Sequence, residues 1–172
     1  YELTNDVGMS VRAMAEGGNM VQVSKNGQDY IWDNVEGACY YGAHTNAFPL
    51  DRGLILHGGC RFAAVTAEHG LYYDTEWEMT DDDDEEVGRG AKSIVLRIQD
   101  TEEQRAKIGR LSVGQYNWPG DDPQVAQMTK YPVTNLIFTY RITLCPGEEF
   151  VRLRMRVENP TDKDAHAEAW LP

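Results

Sequence analysis

Hydrophobic and polar residues alternate with a period of two along several stretches of the chain. The alternation is clearest between positions 150 and 157, where two sets of residues interleave: Val151, Leu153, Met155 and Val157 with Arg152, Arg154 and Arg156. This pattern is typical of a β-strand with one buried face. It predicts that the four apolar side chains lie in the core. Similar runs at 20–24, 94–98 and 136–144 predict further strands.

Turn-forming residues separate these runs at intervals expected for short antiparallel strands. Lys25-Asn26-Gly27-Gln28 contains Asn-Gly, the dipeptide most typical of a tight β-hairpin. Cys145-Pro146-Gly147-Glu148 lies between two predicted strands and predicts that 136–144 and 150–157 form an antiparallel hairpin. Asn159-Pro160-Thr161-Asp162 marks the end of the second of these strands.

The strand signals outweigh the helix signals and predict an all-β fold. Residues 101–108 are compatible with one short polar helix or with a loop. Residues 75–90 are too acidic and too poor in apolar side chains to predict core structure, and an acidic loop is expected at about 80–90. Many antiparallel strands in one chain are accommodated by a β-sandwich or a barrel.

Composition limits the class of protein further. The 172 residues, 41% of them hydrophobic, suit one domain over 1–172 or part of a larger one. The formal net charge is −12, and no basic cluster interleaves with aromatic residues, so neither nucleic acid nor a membrane is expected as a partner. The acidic run 81–86 is interpreted as a solvated loop, because calcium loops alternate carboxylates with glycine and carbonyl ligands.

Three cysteines, Cys39, Cys60 and Cys145, lack the paired spacing of a structural zinc site. One disulfide with one free thiol and three separate thiols both remain compatible with the sequence. The sequon-like Asn159-Pro160-Thr161 has proline where glycosylation forbids it. These features lean toward an intracellular protein but leave the compartment open.

The order of these motifs resembles that of galactose-mutarotase-like domains, a superfamily that includes the aldose 1-epimerases. The segments that carry the resemblance are 1–5, 16–23, 26–34, 56–62 and 156–162. In order they give an opening strand, a glycine pair before a strand, an Asn-Gly hairpin ending in Trp and Asn, a Leu-His-Gly-Gly segment, and an Asn-Pro-Thr-Asp turn. The nearest similarity is to uncharacterised mutarotase-like domains.

The resemblance implies a galactose-mutarotase-like supersandwich, an antiparallel β-sandwich that is incomplete in this chain. The family's domains are longer, so 1–172 is expected to be the N-terminal part of one. An incomplete sandwich leaves sheet edges open. We therefore expect the remaining C-terminal segment or another chain to cover them, and the chain not to be a free monomer.

The resemblance also implies chemistry at the anomeric centre of a sugar. In that reaction an acid protonates the ring oxygen while a base removes the anomeric hydroxyl proton. His57, in Leu-His-Gly-Gly, resembles the epimerase histidine that contacts the sugar, and Gly58-Gly59 would allow the backbone to approach a ligand. His166 is the candidate second catalytic histidine. The family's base carboxylate lies in the C-terminal part, and no cofactor is expected.

A sugar or glycan is the expected ligand, and six residues are candidates for binding it. Their chemistry is aromatic stacking, hydrogen bonding to hydroxyls and a planar guanidinium fork for an acidic sugar. The candidates are Tyr41, His44, Asn46, Arg52, Arg61 and Trp170. For Arg61 a surface strand position is the preferred interpretation. Trp170, like Trp77, is compatible with either a stacking platform or the core.

Other chemistries fit the sequence less well. His44, His57, His69 and Glu68 could converge on a metal, but they lack a helix-borne ligand pair, and no metal is expected. The main functional prediction is a carbohydrate-binding or carbohydrate-active domain, aldose 1-epimerase-like when complete. The alternative is a non-catalytic β-sandwich module for interaction or assembly, or an accessory domain of a polysaccharide-degrading enzyme.

Overall fold

The fold was analysed in a computed structural model of the chain. The residues that it describes are 1–15, 17–31, 59–65, 71–72, 75–80, 90–112 and 132–170. In these ranges the chain is all-β with antiparallel sheets, as predicted, apart from one helix.

Five strands form the first sheet, in the order β1-β2-β3-β4, with β5 pairing to the other end of β3. Their bounds are β1 Glu2–Thr4, β2 Met9–Met14, β3 Asn19–Lys25, β4 Gln28–Asp29 and β5 Cys60–Arg61. The hairpin between β3 and β4 is the one that the sequence predicts. Asn26 and Gly27 have φ values of 52° and 83°, the left-handed pair that a type I′ turn requires.

Alternating burial on β2 follows the predicted period of two, but β3 departs from it. Met9, Val11 and Ala13 are buried and Arg12 is exposed. On β3 the register shifts, so that Arg12 pairs with Gln22 but Ala13 pairs with Met20. The extra residue, Val21, forms a β-bulge. The bulge interrupts the alternation of side chains between the two faces of the strand. Met20 and Val21 are therefore both buried although they are adjacent in sequence.

Four strands form the second sheet, in the order β10-β9-β8-β7. Their bounds are β7 Glu78–Thr80, β8 Lys92–Gln99, β9 Ile137–Leu144 and β10 Arg152–Glu158. The predicted hairpin of β9 and β10 is confirmed, with Arg154 opposite Arg141. Gly147, in the turn between the two strands, has a φ of 74°, which glycine adopts without strain.

The helix α1, Glu102–Ser112, follows β8 directly. The sequence was compatible with either a short helix or a loop at 101–108, and the structure has a helix there. The helix continues to Ser112, four residues beyond the predicted end. Thr101 caps it, because its hydroxyl accepts a hydrogen bond of 3.2 Å from the amide of Gln104. A third, two-stranded sheet pairs β6, Ala63–Val65, with β11, Glu168–Trp170.

One hydrophobic core joins the first and second sheets, a sandwich-like arrangement. Phe62, between β5 and β6, lies at its centre. Its ring contacts those of Trp77, Phe138 and Tyr140 at centroid distances of 6.0, 5.8 and 6.3 Å. Trp77 is 1% exposed, so the expectation that 75–90 contributes nothing to the core is wrong at this residue. The stacking platform considered for Trp77 is likewise excluded.

The predicted burial of the apolar face of β10 is also wrong in part. Val151 and Leu153 are half-buried and pack against the core, but Met155 and Val157 are 38% and 46% exposed. Among the described strands β10 pairs only with β9 and forms the edge of its sheet. The alternation predicts which face is apolar, but burial depends on whether another element lies over the edge.

The first turn of the chain is joined to the turn between β9 and β10. The Asn5 side-chain amide donates hydrogen bonds of 2.9 and 2.8 Å to the carbonyl oxygens of Cys145 and Glu148. The Gly147 amide donates to the Asp6 carboxylate at 2.7 Å. These contacts hold the open ends of the two sheets together across about 140 positions of sequence.

Candidate functional site

Strand pairing brings together two segments that the sequence analysis assigns to a sugar site. β5, which follows the His57 segment, pairs with β3 through Asn19–Arg61 and Met20–Cys60. β6 follows immediately and pairs with β11, so that Trp170 lies opposite Ala63. Arg61 is therefore two residues from the strand partner of Trp170. This adjacency involves residues about 110 positions apart in sequence.

Gly59 begins this region with a φ of 75°. A Cβ atom there would lie 2.5 Å from the carbonyl oxygen of Met20 and 2.6 Å from Oδ1 of Asn19. The sequence analysis interpreted the Gly58-Gly59 pair as allowing close approach of a ligand. At Gly59 the close approach is to the protein's own strand β3.

The structure covers only some of the predicted site residues. His57, Tyr41, His44, Asn46 and Arg52 lie outside the described residues. Arg61 and Trp170 lie on β5 and β11. His166 is exposed, two residues before β11. The backbone thus places Trp170 opposite Ala63, two residues after Arg61. His166 is accessible to solvent and lies beyond the other end of this pairing, past the Glu168–Val65 pair.

Metal and membrane sites were also considered. Among the described residues, no three His, Cys, Asp or Glu side chains lie close enough together to hold a metal ion. The four candidates for a metal site, His44, His57, Glu68 and His69, lie outside those residues. In the same part of the chain, no helix combines the length and apolar character needed to cross a membrane.

Two of the three cysteines are free thiols, Cys60 and Cys145; Cys39 lies outside the described residues. The Tyr140 hydroxyl lies 3.4 Å from the Cys60 carbonyl oxygen and 3.8 Å from its sulfur. Burial, together with the neighbouring Cys60, raises the pKa of the Tyr140 hydroxyl above its ordinary value. Tyr140 is therefore a neutral hydrogen-bond donor that joins the core face of β9 to β5.

A buried polar network, which the sequence analysis did not find, lies where β8 meets α1. Its centre is Asp100, which is 0% exposed. Arg105 donates to both carboxylate oxygens, from Nε at 2.6 Å and from Nη2 at 2.8 Å. The Tyr72 hydroxyl donates at 2.5 Å, and Thr134 donates from its amide at 2.8 Å and its hydroxyl at 2.7 Å.

The network keeps Asp100 charged. Burial alone would raise the pKa of the Asp100 carboxyl, but hydrogen bonds from Arg105, Tyr72 and Thr134 outweigh it and hold the pKa below its ordinary value. Burial and the adjacent Asp100 charge raise the pKa of the Tyr72 hydroxyl. Five donor contacts occupy the two carboxylate oxygens. Asp100 is therefore placed to hold structure together, and general acid or base chemistry would require breaking the network.

Arg105 extends the network to a third segment, because its Nη2 also donates to the carbonyl oxygen of Pro132 at 3.0 Å. The network thereby joins the start of α1 to the segment before β9 and to Tyr72. A sequence signal did exist: Asp100 directly follows a strand, Thr101 is a capping residue, and Arg105 follows one helical turn later. The pairing of Asp100 with Arg105 can be recognised in the sequence only if a helix is first predicted to begin after Asp100.

A cleft of about 1060 Å³ opens beside this junction, between β7, β8 and α1. Its lining includes charged groups of both signs. Lys107 lies 3.4 Å from Glu103, and Arg97 lies opposite Glu78 on the neighbouring strand. Among the described residues that line it, none is a predicted sugar-site residue.

Comparison of the chain with protein-family models, with curated proteins and with solved structures finds no match.

Proposed function

We propose that this chain is a carbohydrate-binding domain of the galactose-mutarotase-like type. The observation that carries the proposal is the convergence of the β5–β6 segment with β11. That pairing places Trp170 opposite Ala63, two residues after Arg61, and both Trp170 and Arg61 have sugar-binding chemistry. The antiparallel two-sheet core and the ordered motifs from 1–5 to 156–162 support the same assignment.

The proposed site has two kinds of contact for a sugar. A tryptophan ring offers an apolar face on which a pyranose can stack, and a guanidinium offers a planar fork of donors to hydroxyl or carboxylate oxygens. His57 precedes β5 by three residues and supplies the titratable group. Its unperturbed pKa of about 6.5 suits proton transfer near neutral pH.

If the domain is catalytic, the reaction is interconversion of anomers. His57 would give a proton to the ring oxygen, a carboxylate would take the proton of the anomeric hydroxyl, and the bond between the anomeric carbon and the ring oxygen would break. The product is the open-chain aldehyde, which closes on either face. His166 is the second histidine that we propose for this site.

Replacement of His57 by alanine is expected to weaken binding of a sugar at least about 10-fold, the loss expected for one to two hydrogen bonds to a ligand. The measurement is isothermal titration of the protein and the His57→Ala variant with a panel of neutral and acidic saccharides. Lys163→Ala, an exposed residue in the turn after β10, is the control. Absence of binding across the panel by a folded protein would reject the proposed function.

The second candidate function is an interaction or assembly module, and the position of β10 at the edge of the second sheet, among the described strands, favours it. Met155 and Val157 are exposed on the apolar side of β10, and an edge strand can offer backbone groups to another chain. In this case the partner is a segment that completes the sheet.

Light scattering tests the second candidate. We expect the protein to self-associate and the Val157→Lys variant to be monomeric, because a charge on the apolar side of β10 opposes its coverage. Met79→Lys is the matched control, since Met79 is 50% exposed on the opposite edge strand β7. A monodisperse monomer of the unmodified protein with cooperative unfolding would contradict this expectation.

A further inference from the structure

The cleft between β7, β8 and α1, which we call the helix cleft, is lined by buried and by exposed residues. Thr75, Trp77 and Ile98 line it and are buried, so they form its floor. Glu78 and Met79 line it and are exposed, so they belong to its rim. Its volume of about 1060 Å³ is close to the upper limit for ligand sites, about 1,000 Å³. The helix cleft therefore has room for a ligand of more than one ring.

Two polar atoms beside the helix cleft lack hydrogen-bond partners. Thr75 and Gln104 both line the cleft. Oγ1 of Thr75 and Oε1 of Gln104 are buried and have no partner in the part of the chain that the structure describes. Most buried polar atoms in folded proteins are hydrogen-bonded, because an unsatisfied one lowers stability. The two atoms therefore indicate a place where water or a ligand supplies the missing hydrogen bonds.

Hydroxyl groups are the ligand groups that suit these two atoms. The Gln104 oxygen only accepts, so its partner must donate a hydrogen bond, whereas the Thr75 hydroxyl can donate or accept. An ionised carboxylate has no proton to give to Gln104. A hydroxyl both donates and accepts, as water does, and it can replace a water molecule at either atom without loss of hydrogen bonds.

The charges around the helix cleft argue against an anionic ligand. The described lining includes five charged residues, the carboxylates Glu76, Glu78 and Glu103 and the cations Arg97 and Lys107. Lys107 already lies 3.4 Å from Glu103. An anion would therefore meet more carboxylates than free cations. Neutral hydroxyls can donate to the carboxylates and accept from the Arg97 guanidinium, so they can use both kinds of charge.

An exposed aromatic ring also borders the helix cleft. Tyr1 lines it and is 52% exposed. The backbone of Tyr1 is held to β2, because the Ala13 amide donates a hydrogen bond of 2.9 Å to the Tyr1 carbonyl oxygen. A tyrosine ring offers an apolar face on which the C–H groups of a pyranose can pack. The helix cleft thus combines a stacking surface with hydrogen-bonding groups for hydroxyls.

We propose that the helix cleft is a second saccharide site, which binds a neutral oligosaccharide through the Tyr1 ring and the polar atoms of Thr75 and Gln104. The saccharide class rests on the proposed function, whereas the neutral charge and the contacts rest on the cleft itself. The helix cleft is distinct from the site proposed around His57, because none of its described lining residues belongs to that site.

The test is isothermal titration of the His57→Ala protein, in which the first site is disabled, with three oligosaccharides of equal length. They are a neutral cello-oligosaccharide, an oligogalacturonate and a chitosan oligosaccharide. We expect the neutral probe to bind, and the further changes Thr75→Val and Gln104→Met to weaken that binding at least about 10-fold. Both changes remove the polar atoms and closely keep the shape of the side chains. In the protein with His57 intact, the same two changes are expected to remove one of two binding events.

Thermal unfolding separates a binding role of Thr75 and Gln104 from a structural one. Buried polar atoms without partners can be replaced by apolar groups of the same shape at little or no cost. The variant carrying Thr75→Val and Gln104→Met is therefore expected to unfold at the same temperature as the unmodified protein or at a higher one. A lower unfolding temperature would overturn the proposal, because it would show that the two atoms already have partners.

The aromatic contact is tested by a matched pair of tyrosines. Tyr1→Ala removes the ring from the helix cleft and is expected to weaken binding of the neutral probe at least about 5-fold. Tyr30→Ala is the control, since Tyr30 is 59% exposed and is not among the described lining residues. It is expected to bind the neutral probe as the unmodified protein does. Equal losses in the two variants would overturn the assignment of the ring to the site.

The titrations distinguish failure of the helix cleft from failure of the proposed function. If Thr75→Val and Gln104→Met leave binding unchanged, or if His57→Ala alone abolishes it, the inference fails and the proposed function stands. If His57→Ala changes nothing and the cleft variants abolish binding, the helix cleft stands and the site around His57 fails. Equal or tighter binding of either charged probe would overturn the neutral class. If no probe binds the unmodified protein, both fail.

Discussion

Replacement of Asp100 by asparagine is expected to destabilise the protein by about 3–5 kcal/mol, the range for removing one partner of a buried ion pair. The change removes the carboxylate charge to which the buried Arg105 guanidinium donates two hydrogen bonds. It also places an amide group where Tyr72 and Thr134 both donate hydrogen bonds. Urea unfolding followed by tryptophan fluorescence measures the change in the free energy of unfolding.

The surface pair of Glu103 and Lys107 gives the comparison for Asp100. It lies on the same helix, and both side chains are largely exposed. Lys107→Ala is therefore expected to cost less than about 1 kcal/mol. Equal losses in the two variants would show that the buried network contributes no more than a surface pair.

The same network gives an expected pH dependence. Because the pKa of Asp100 is lower in the folded protein than in the unfolded chain, its charge contributes stability above the unfolded value of about 3.9. That contribution is lost as the pH falls through the folded value. The Asp100→Asn variant should lack this part of the acid sensitivity.

Replacement of Gly18 by alanine is the second change with a large expected effect. Gly18 has a φ of 55°, and an added Cβ atom would lie 2.7 Å from the ring of Trp77. Trp77 is held in the core, where its indole nitrogen donates to the Tyr72 carbonyl oxygen at 3.1 Å. The left-handed backbone and the clash together are expected to cost about 2–5 kcal/mol.

Gly147→Ala separates the two contributions. Gly147 also has a positive φ, 74°, but no atom lies within 4 Å of its added Cβ. The Gly147→Ala variant is expected to lose only the stability that a left-handed backbone costs a non-glycine residue, about 1–2 kcal/mol. Thermal unfolding of both variants measures the difference, which should equal the cost of the contact with Trp77. Similar losses for the two glycines would mean that the core accommodates the methyl group.

Local signals predict much of this fold. Asn26-Gly27 predicts a type I′ hairpin because both residues tolerate positive φ, and the period of two predicts the pairing of β9 with β10. The interactions that are not local are harder to predict. Asp100 takes its partners from Tyr72 and Thr134, 28 and 34 residues away, and no sequence spacing marks them.

The same distinction applies to the candidate site. The motif around His57 gives residue types suited to sugar chemistry, but only the pairing of β6 with β11 shows that Trp170 lies near that segment. The helix cleft has no counterpart in the sequence, because Thr75 and Gln104 belong to different segments of the chain and line one cleft only in the folded protein.

The hydrogen bonds that join Asn5 and Asp6 to the turn at 145–148 have a consequence for synthesis in the cell. The first strands leave the ribosome long before the segment that completes their contacts. Until about 140 further residues have been made, Asn5 and Asp6 lack these partners. Contacts this distant in sequence slow folding, and apolar surface stays exposed to solvent until they form.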